Sequence, residues 1–349
     1  MQKIFGLMRQ DTGVGYYRIG QPIMFINRFT ERPLSTITPF TGQNTQVSIG
    51  ELRDDMWAWS DKTLMEMAKG ADIIWSTILH NEDEILKMLN LRKWSGAKWV
   101  VDIDDNMYAV STDNPGRKNV ERALEQMQKC LMVADGVTVS VPSLKEAYSH
   151  LNKNIYIKPN GLDLSWFMSH KYKNKKIRIG WRGAYGHRGD ITLLEPVMKA
   201  LKKDYDIEFV TFGVKPNFPS EHHEWTSFLK NRQGIDYPMA LDSLELDIGV
   251  VPLIDSPYNK CKSNLAVLEY SALKIPVVAS PVENQKGMPI SYAKNNFAWY
   301  EQLEKLIQDK NLRKIQGEKQ YDFIREHYSE KNLVKPLMEW FDKLPKKDM

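Results

Sequence analysis

Two lysines, a serine and an asparagine stand ahead of a helical pattern in residues 246–280, LDIGVVPLIDSPYNKCKSNLAVLEYSALKIPVVAS, and a carboxylate, Glu269, follows on that helix. Lys260 and Lys262 offer point charges. Ser263 and Asn264 sit at the helix start, where backbone N–H groups lack intrahelical partners and the helix dipole is positive. Such a group can hold a phosphate. Glu269, one turn beyond Leu265, can accept two hydrogen bonds from a ribose diol. An ordinary N-cap with a solvated Glu269 accounts for the same residues without any chemistry.

The element order decides where that loop lies. Residues 248–253 form an apolar run, 254–264 a polar loop, and 275–279 a second apolar run after the helix. Strand, loop, helix, strand belongs to a parallel sheet, whose ligands bind in the crevice at the carboxyl ends of its strands. The same logic singles out two further loops. IRIGWRGAYGHRGD reads as a strand over 177–181 running into a loop with Arg182, Gly183, His187 and Arg188. Glycines clear space there, and guanidinium groups form paired hydrogen bonds to phosphate oxygens; the alternative is a basic surface loop. Near the N-terminus, an apolar strand over 3–8 leads into RQDTGVGYYR, a loop over 9–18 ahead of a helical pattern from about Gln21. Gly13 and Gly15 let backbone approach a ligand, or make a tight turn. Arg18 would add charge to the same place.

Further strands are expected over 34–40, 71–78, 99–104, 136–141, 155–158 and 207–212, with helical patterns between most of them, including 64–69 and 124–133. Alternating β and α elements predict parallel sheets. Two of these strands end in polar side chains. One delivers His80 to a carboxyl end. The other, VDIDDNMY, carries Asp102, Asp104 and Asp105. Two carboxylates one residue apart can grip a divalent cation, but no second ligand group follows, so Asp104 and Asp105 are read as polar residues of the acceptor side, or a base, and no metal is assigned.

The segments ALDSLELDIGVVPL and NKCKSNLAVLEYSALKIPVVAS resemble the donor-binding region of GT-B glycosyltransferases, within them the retaining, glycogen-synthase-like type (group 1, family 4-like). VTVSVPSLKEAY and YIKPNGLDLSWF resemble the last βαβ unit and hinge turn of the same family's N-terminal domain, with Asn160 and Gly161 at the corner. The variants it resembles most are those of O-antigen and phage clusters. The resemblance implies two Rossmann-like domains facing across a cleft. It implies that Glu269 binds the ribose of a nucleotide sugar and that Arg182, Arg188 and Lys262 neutralise the diphosphate, with His187 beside them. It also puts the N-terminal loop opposite the donor phosphates and His80 beside the acceptor and the anomeric carbon, and it rests the nucleotide base around residues 237–240. One position departs: where the family commonly carries a second Glu, eight residues before the first, this chain has Cys261. Catalysis is accordingly expected from His80, Asp104, Arg182 and Lys262, and donor binding from Gly13, Gly15, Gly183, His187, Arg188, Ser263, Asn264 and Glu269.

At 349 residues the chain suits two domains. Residues 1–165 are expected to form the acceptor-side domain and 176–325 the donor domain. A polar linker over 170–176 separates them, and a helix over 326–349 crosses back to the first. Hydrophobic residues at 42% and charged residues at 26% permit a sizeable core in each. The net charge of +4 suits a small anionic substrate and is weak for a dedicated nucleic-acid binder. Two cysteines, Cys130 and Cys261, without metal-ligand spacing, suit reduced thiols in a cytoplasmic protein. No apolar run reaches the length of a membrane span, although LRKWSGAKW over 91–99 leaves room for peripheral membrane contact.

The expected reaction is sugar transfer from a nucleotide sugar to a hydroxyl, hexosyltransferase-like, with the nucleotide sugar as co-substrate and no cofactor. The acceptor is a glycan or lipid-linked sugar. The phage-like likeness admits a second reading, a hydroxymethylated pyrimidine in DNA. A third, of another class, is a non-catalytic nucleotide-sugar-binding protein.

Overall fold

The computed structural model describes residues 3–8, 13–28, 36–38, 61–110, 114, 116–168, 176–224 and 236–347. Among the described residues, two six-stranded, wholly parallel sheets form the framework. The first contains β1 (Ile4–Leu7), β2 (Thr36–Thr38), β3 (Ile73–Thr77), β4 (Lys98–Ile103), β5 (Gly136–Val139) and β6 (Ile155–Ile157), in the order β2-β1-β3-β4-β5-β6. The second contains β7 (Ile177–Gly183), β8 (Ile207–Gly213), β9 (Glu221–His223), β10 (Ile248–Val251), β11 (Val277–Ala279) and β12 (Ser291–Tyr292), in the order β12-β11-β10-β7-β8-β9. Each sheet grows outward in one direction, returns to its first strand, and continues on the other side. The reversal falls between β1 and β3 in one sheet and between β7 and β10 in the other. Such switch points open crevices at the strand ends.

Strands buried on both faces must be apolar at consecutive positions, and the alternation divides those side chains between two cores. Phe5, Ile74, Trp99 and Val101 pack on one face of the first sheet, and Ile4, Ile73, Trp75 and Val100 on the other. In the second sheet Val210, Phe212 and Val277 oppose Phe209, Ile248 and Val278. The two strands without a sequence signal, β9 and β12, are short edge strands whose residues are polar or half-exposed. They have one buried neighbour each and no need of an apolar run.

The chain then returns. The helix Lys310–His327 packs against Leu265–Ala272 of the second lobe, and Glu330–Lys343 lies on the first. Leu337, Phe341 and Leu344 join the core of Ile4 and Trp75, with the Phe341 ring edge-on to Trp75 at 5.5 Å. At the turn between lobes, Lys158 pairs with Glu330 at 3.5 Å, both fully buried. Gly161 makes room for that carboxylate: a Cβ there would stand 2.2 Å from Glu330 Oε2.

One expectation is corrected by the backbone. Residues 13–18 are helical rather than loop: Gly13–Gly15 is a helical turn, Tyr16–Gly20 a π-helical turn, and Gln21–Arg28 an α-helix. Gly15 holds right-handed helical angles, so no special backbone conformation explains it. Residues 9–12 of the expected loop and 170–175 of the expected linker lie outside the described residues. Residues 91–99 are a helix end: Glu82–Ser95 stops at Gly96, whose φ of 74° closes the turn before β4. Trp99 is buried and Trp94 exposed.

Candidate functional site

Both crevices open onto one cleft. A cavity of about 340 Å³ is lined by Gly13, Val14 and Tyr17 after β1, by Asp104 and Asp105 after β4, by Arg182 near the end of β7 with Ala184 and His187 after it, and by Lys262, Ser263 and Glu269 after β10. The two cations of the second lobe therefore share a chamber with the helix start of the first.

Each is held by a carboxylate. Arg182 Nη2 lies 2.5 Å from Glu269 Oε2, and Glu269 also accepts from Tyr17 Oη at 2.8 Å and Tyr237 Oη at 3.1 Å. Burial would pull the Arg182 guanidinium down, but Glu269 together with Tyr237, Tyr270 and Tyr17 more than offsets it and the group stays charged. Burial pushes the Glu269 carboxyl up against the opposing pull of Arg182 and the two hydroxyls. Arg182 Nε and Nη2 have no hydrogen-bond acceptor of proper geometry, and the residue lines the cavity. Lys262 Nζ reaches across to Asp105 Oδ1 at 2.5 Å and lies 4.5 Å over the Tyr258 ring. Burial would lower its pKa, and Asp105 reverses that into a net rise.

The loop after β10 owes its shape to Asp190. Its Oδ1 accepts from the Ile254 backbone N–H at 2.8 Å and Asn259 Nδ2 at 2.7 Å, while Oδ2 meets His187 Nδ1 at 2.7 Å. His187 thus ties the loop after β7 to the loop bearing Lys262.

A second cavity, about 300 Å³, adjoins the first and shares Val14, Asp104 and Asp105 with it. His80 and Thr77 are on its wall, and the rest is mostly apolar: Ile78, Ile103, Met107, Val110, Val120 and Met127. Asp104 stands where the two chambers meet. Burial, then the adjacent Asp105 carboxylate, push its pKa up to about 7. That places a carboxyl near neutrality between a cationic chamber and an apolar one, the range in which a group trades protons readily.

The structure brings Gly13, Asp104, Arg182, His187, Lys262, Ser263 and Glu269 to the first cavity, and Gly15, His80 and Asp104 to the second. It directs others elsewhere. Arg188 is exposed, donates to Tyr185 Oη at 3.1 Å and Asn217 Oδ1 at 3.3 Å, and lines a separate cavity of about 380 Å³. The space at Gly183 is filled by protein, since a Cβ there would meet the Trp181 ring at 2.2 Å. Asn264 is buried with Nδ2 3.4 Å from Met288 Sδ, and its side chain caps nothing. Ser263 Oγ accepts from Asn160 Nδ2 at 2.9 Å. Glu269 is 1% exposed, neither the solvated residue nor an open carboxylate. Arg18, expected at the cleft, is buried in a bidentate pair with Asp102 at 2.9 and 3.0 Å, which also engages the carboxylate a metal pair with Asp104 would need. Residues 237–240 are helical, within Asp236–Asp242, and Tyr237 is buried against Phe212.

Tyr17 and Asp190 had no sequence signal, and Tyr237 was expected beside the nucleotide base rather than on Glu269. Tyr17 follows the glycine pair as one aromatic of two, and Tyr237 belongs to a helix nowhere near Glu269 in sequence. Only the fold makes them neighbours.

No protein-family model and no curated protein sequence matches this chain. Solved structures do match over its whole length. Sucrose-phosphate synthase from Thermosynechococcus elongatus superposes with a TM-score of 0.65 at 13% identity, covering 98% of this chain and 99% of that one. HepE from Anabaena, in complex with UDP-glucose, superposes at 0.65 and 9% identity over 99% and 100%. An α-glucosyltransferase in complex with UDP and a DNA 13-mer containing an HMU base superposes at 0.66 and 13% over 98% and 99%. The fold is that of the GT-B glycosyltransferases.

Proposed function

We propose that this protein is a glycosyltransferase that moves a sugar from a nucleotide-sugar donor to a hydroxyl. The observation that carries the reading is the shared chamber: Arg182, near the end of β7, and Lys262, in the loop after β10, line one cavity at the meeting of both switch points. The departing diphosphate sits between them, and its charge is stabilised as it develops. These fixed cations do the work of a counter-ion, so the reaction runs without a divalent metal. Glu269 holds the ribose, which takes the place of the Tyr17 hydroxyl that bonds it from the other lobe. Asp104 and His80 stand where acceptor hydroxyl and anomeric carbon meet. The configuration is retained, as in the family the sequence resembles; Cys261 is buried with Asn106 Nδ2 3.4 Å from its Sγ and is not among the lining residues.

The acceptor is a glycan or lipid-linked sugar by likeness of sequence. A hydroxymethylated base in DNA is the second reading, favoured by the apolar wall of the acceptor chamber, which suits a planar ring better than a polyol. Two buried, unbonded cysteines, Cys130 and Cys261, support action in the cytoplasm. None of the helices among the described residues is long and apolar enough to cross a membrane. Thermal shifts against UDP-, GDP-, ADP- and dTDP-sugars test the donor. Stabilisation by one nucleotide series, with sugar released to water or acceptor, is expected. Binding without release from any donor would make the chain a nucleotide-sugar-binding protein instead.

A further inference from the structure

The third cavity, the one Arg188 occupies, has no part in holding the donor as argued above. It is about 380 Å³ and adjoins the acceptor chamber through a common wall residue, Asn114. On its other side Tyr185 is 52% exposed, large for an aromatic ring beside a cleft. Arg188 Cζ lies 5.7 Å from that ring's centroid, and Arg188 is itself exposed and bridged to Asn217. A half-exposed aromatic ring, a guanidinium over it and two amides make a surface for a flat ring joined to an anion. Aromatic rings that stack successive bases, with cations following the backbone, are how single strands are held without regard to sequence. The apolar acceptor chamber next door suits a planar ring as well.

We infer that Tyr185 and Arg188 form a subsite for the nucleotide flanking the acceptor in a single-stranded or locally opened DNA segment, Tyr185 stacking on its base and Arg188 meeting its phosphate. The inference rests on the glycosyltransferase reading and commits its acceptor to the nucleic-acid class. Neither residue lines the chamber of Arg182 and Lys262.

Fluorescence anisotropy with a labelled single-stranded oligodeoxynucleotide, over a series of salt concentrations, tests it. The wild type is expected to bind, with affinity falling as salt rises. Tyr185→Ala should weaken binding about tenfold through lost stacking. Arg188→Gln should lessen the slope of log affinity against log salt by about one, and Arg188→Lys should restore it. Absence of salt-dependent binding, wild-type binding in both variants, tighter binding of the duplex, or preference for a neutral oligosaccharide each overturns the inference. The thermal shift with nucleotide sugars should be the same in all four proteins; its absence in the wild type would instead remove the donor reading.

Discussion

Asp104 is the carboxyl of the site whose titration is moved to neutrality. An unfolded aspartate titrates near 3.8, and here burial and the neighbouring Asp105 carboxylate keep the proton on until about pH 7. If Asp104 takes the acceptor proton, transfer should rise with pH through that value. Asp104→Asn should lose about 100-fold or more in turnover while nucleotide-sugar thermal shifts persist. The same displacement acts on stability. Between about pH 4 and 7 the folded protein binds more protons at this group than the unfolded chain, so its contribution to stability falls as pH rises through that window. The melting temperature of Asp104→Asn should therefore lose part of the decline the wild type shows over the same range. At Glu269 burial likewise pushes the carboxyl up, against the pull of Arg182 and two tyrosine hydroxyls. Its charge answers Arg182, and Glu269→Ala strands a buried guanidinium, at a cost of about 3–5 kcal/mol, which chemical denaturation would measure. A variant as stable as wild type would show that Arg182 finds solvent or another partner instead.

At the scale of elements, the stretch from Gly13 to Arg28 explains how a local feature places the cleft. The π-helical turn Tyr16–Gly20 sends Tyr17 towards Glu269 of the other lobe and Arg18 inward, onto Asp102 at the end of β4 and Asn160 in the turn between lobes. Arg18→Met should leave Asp102 without its cation and destabilise the protein by about 3–5 kcal/mol, read as a lower denaturation midpoint. If the buried pair merely breaks even, the loss will be negligible. The elements differ in how legible they were. Apolar runs such as 73–77 and 248–251 announce strands because a parallel strand is covered on both faces. The helical start at Gly13 announces nothing, because two glycines in six residues argue for a turn by local propensity, and packing of Tyr16, Tyr17 and Ile19 in the interior overrides it. Arg188 was misplaced for a related reason. A loop can be assigned to a crevice by sequence, but the direction of each side chain within it is set by contacts such as Tyr185 and Asn217.

Across the whole molecule, the lobes are held closed by bonds that cross between them: Tyr17 to Glu269, Lys262 to Asp105 and Asn160 to Ser263. The returning helix Glu330–Lys343 then locks the first lobe to the chain's end. Phe341→Ala should cost about 3–5 kcal/mol by leaving a cavity beside Trp75, measured by denaturant unfolding. A change within about 0.5 kcal/mol would mean that the helix is a dispensable cover. EDTA should leave sugar transfer unchanged, and loss of activity restored by a divalent cation would displace Arg182 and Lys262 from their assigned part. The order of residue types along the chain determined by itself that there are parallel sheets with a cleft at their strand ends, because burial on two faces and a loop after each strand are local, repeating demands. It also located Arg182, Lys262, Glu269, His80 and Asp104 at those ends. Only the tertiary structure decided which carboxylate answers which cation, that Asp104 titrates near neutrality, and that Arg188 belongs to another chamber. Those outcomes depend on distances between segments as far apart as Tyr17 and Glu269, and distance across a fold has no signature in the spacing of residues along it.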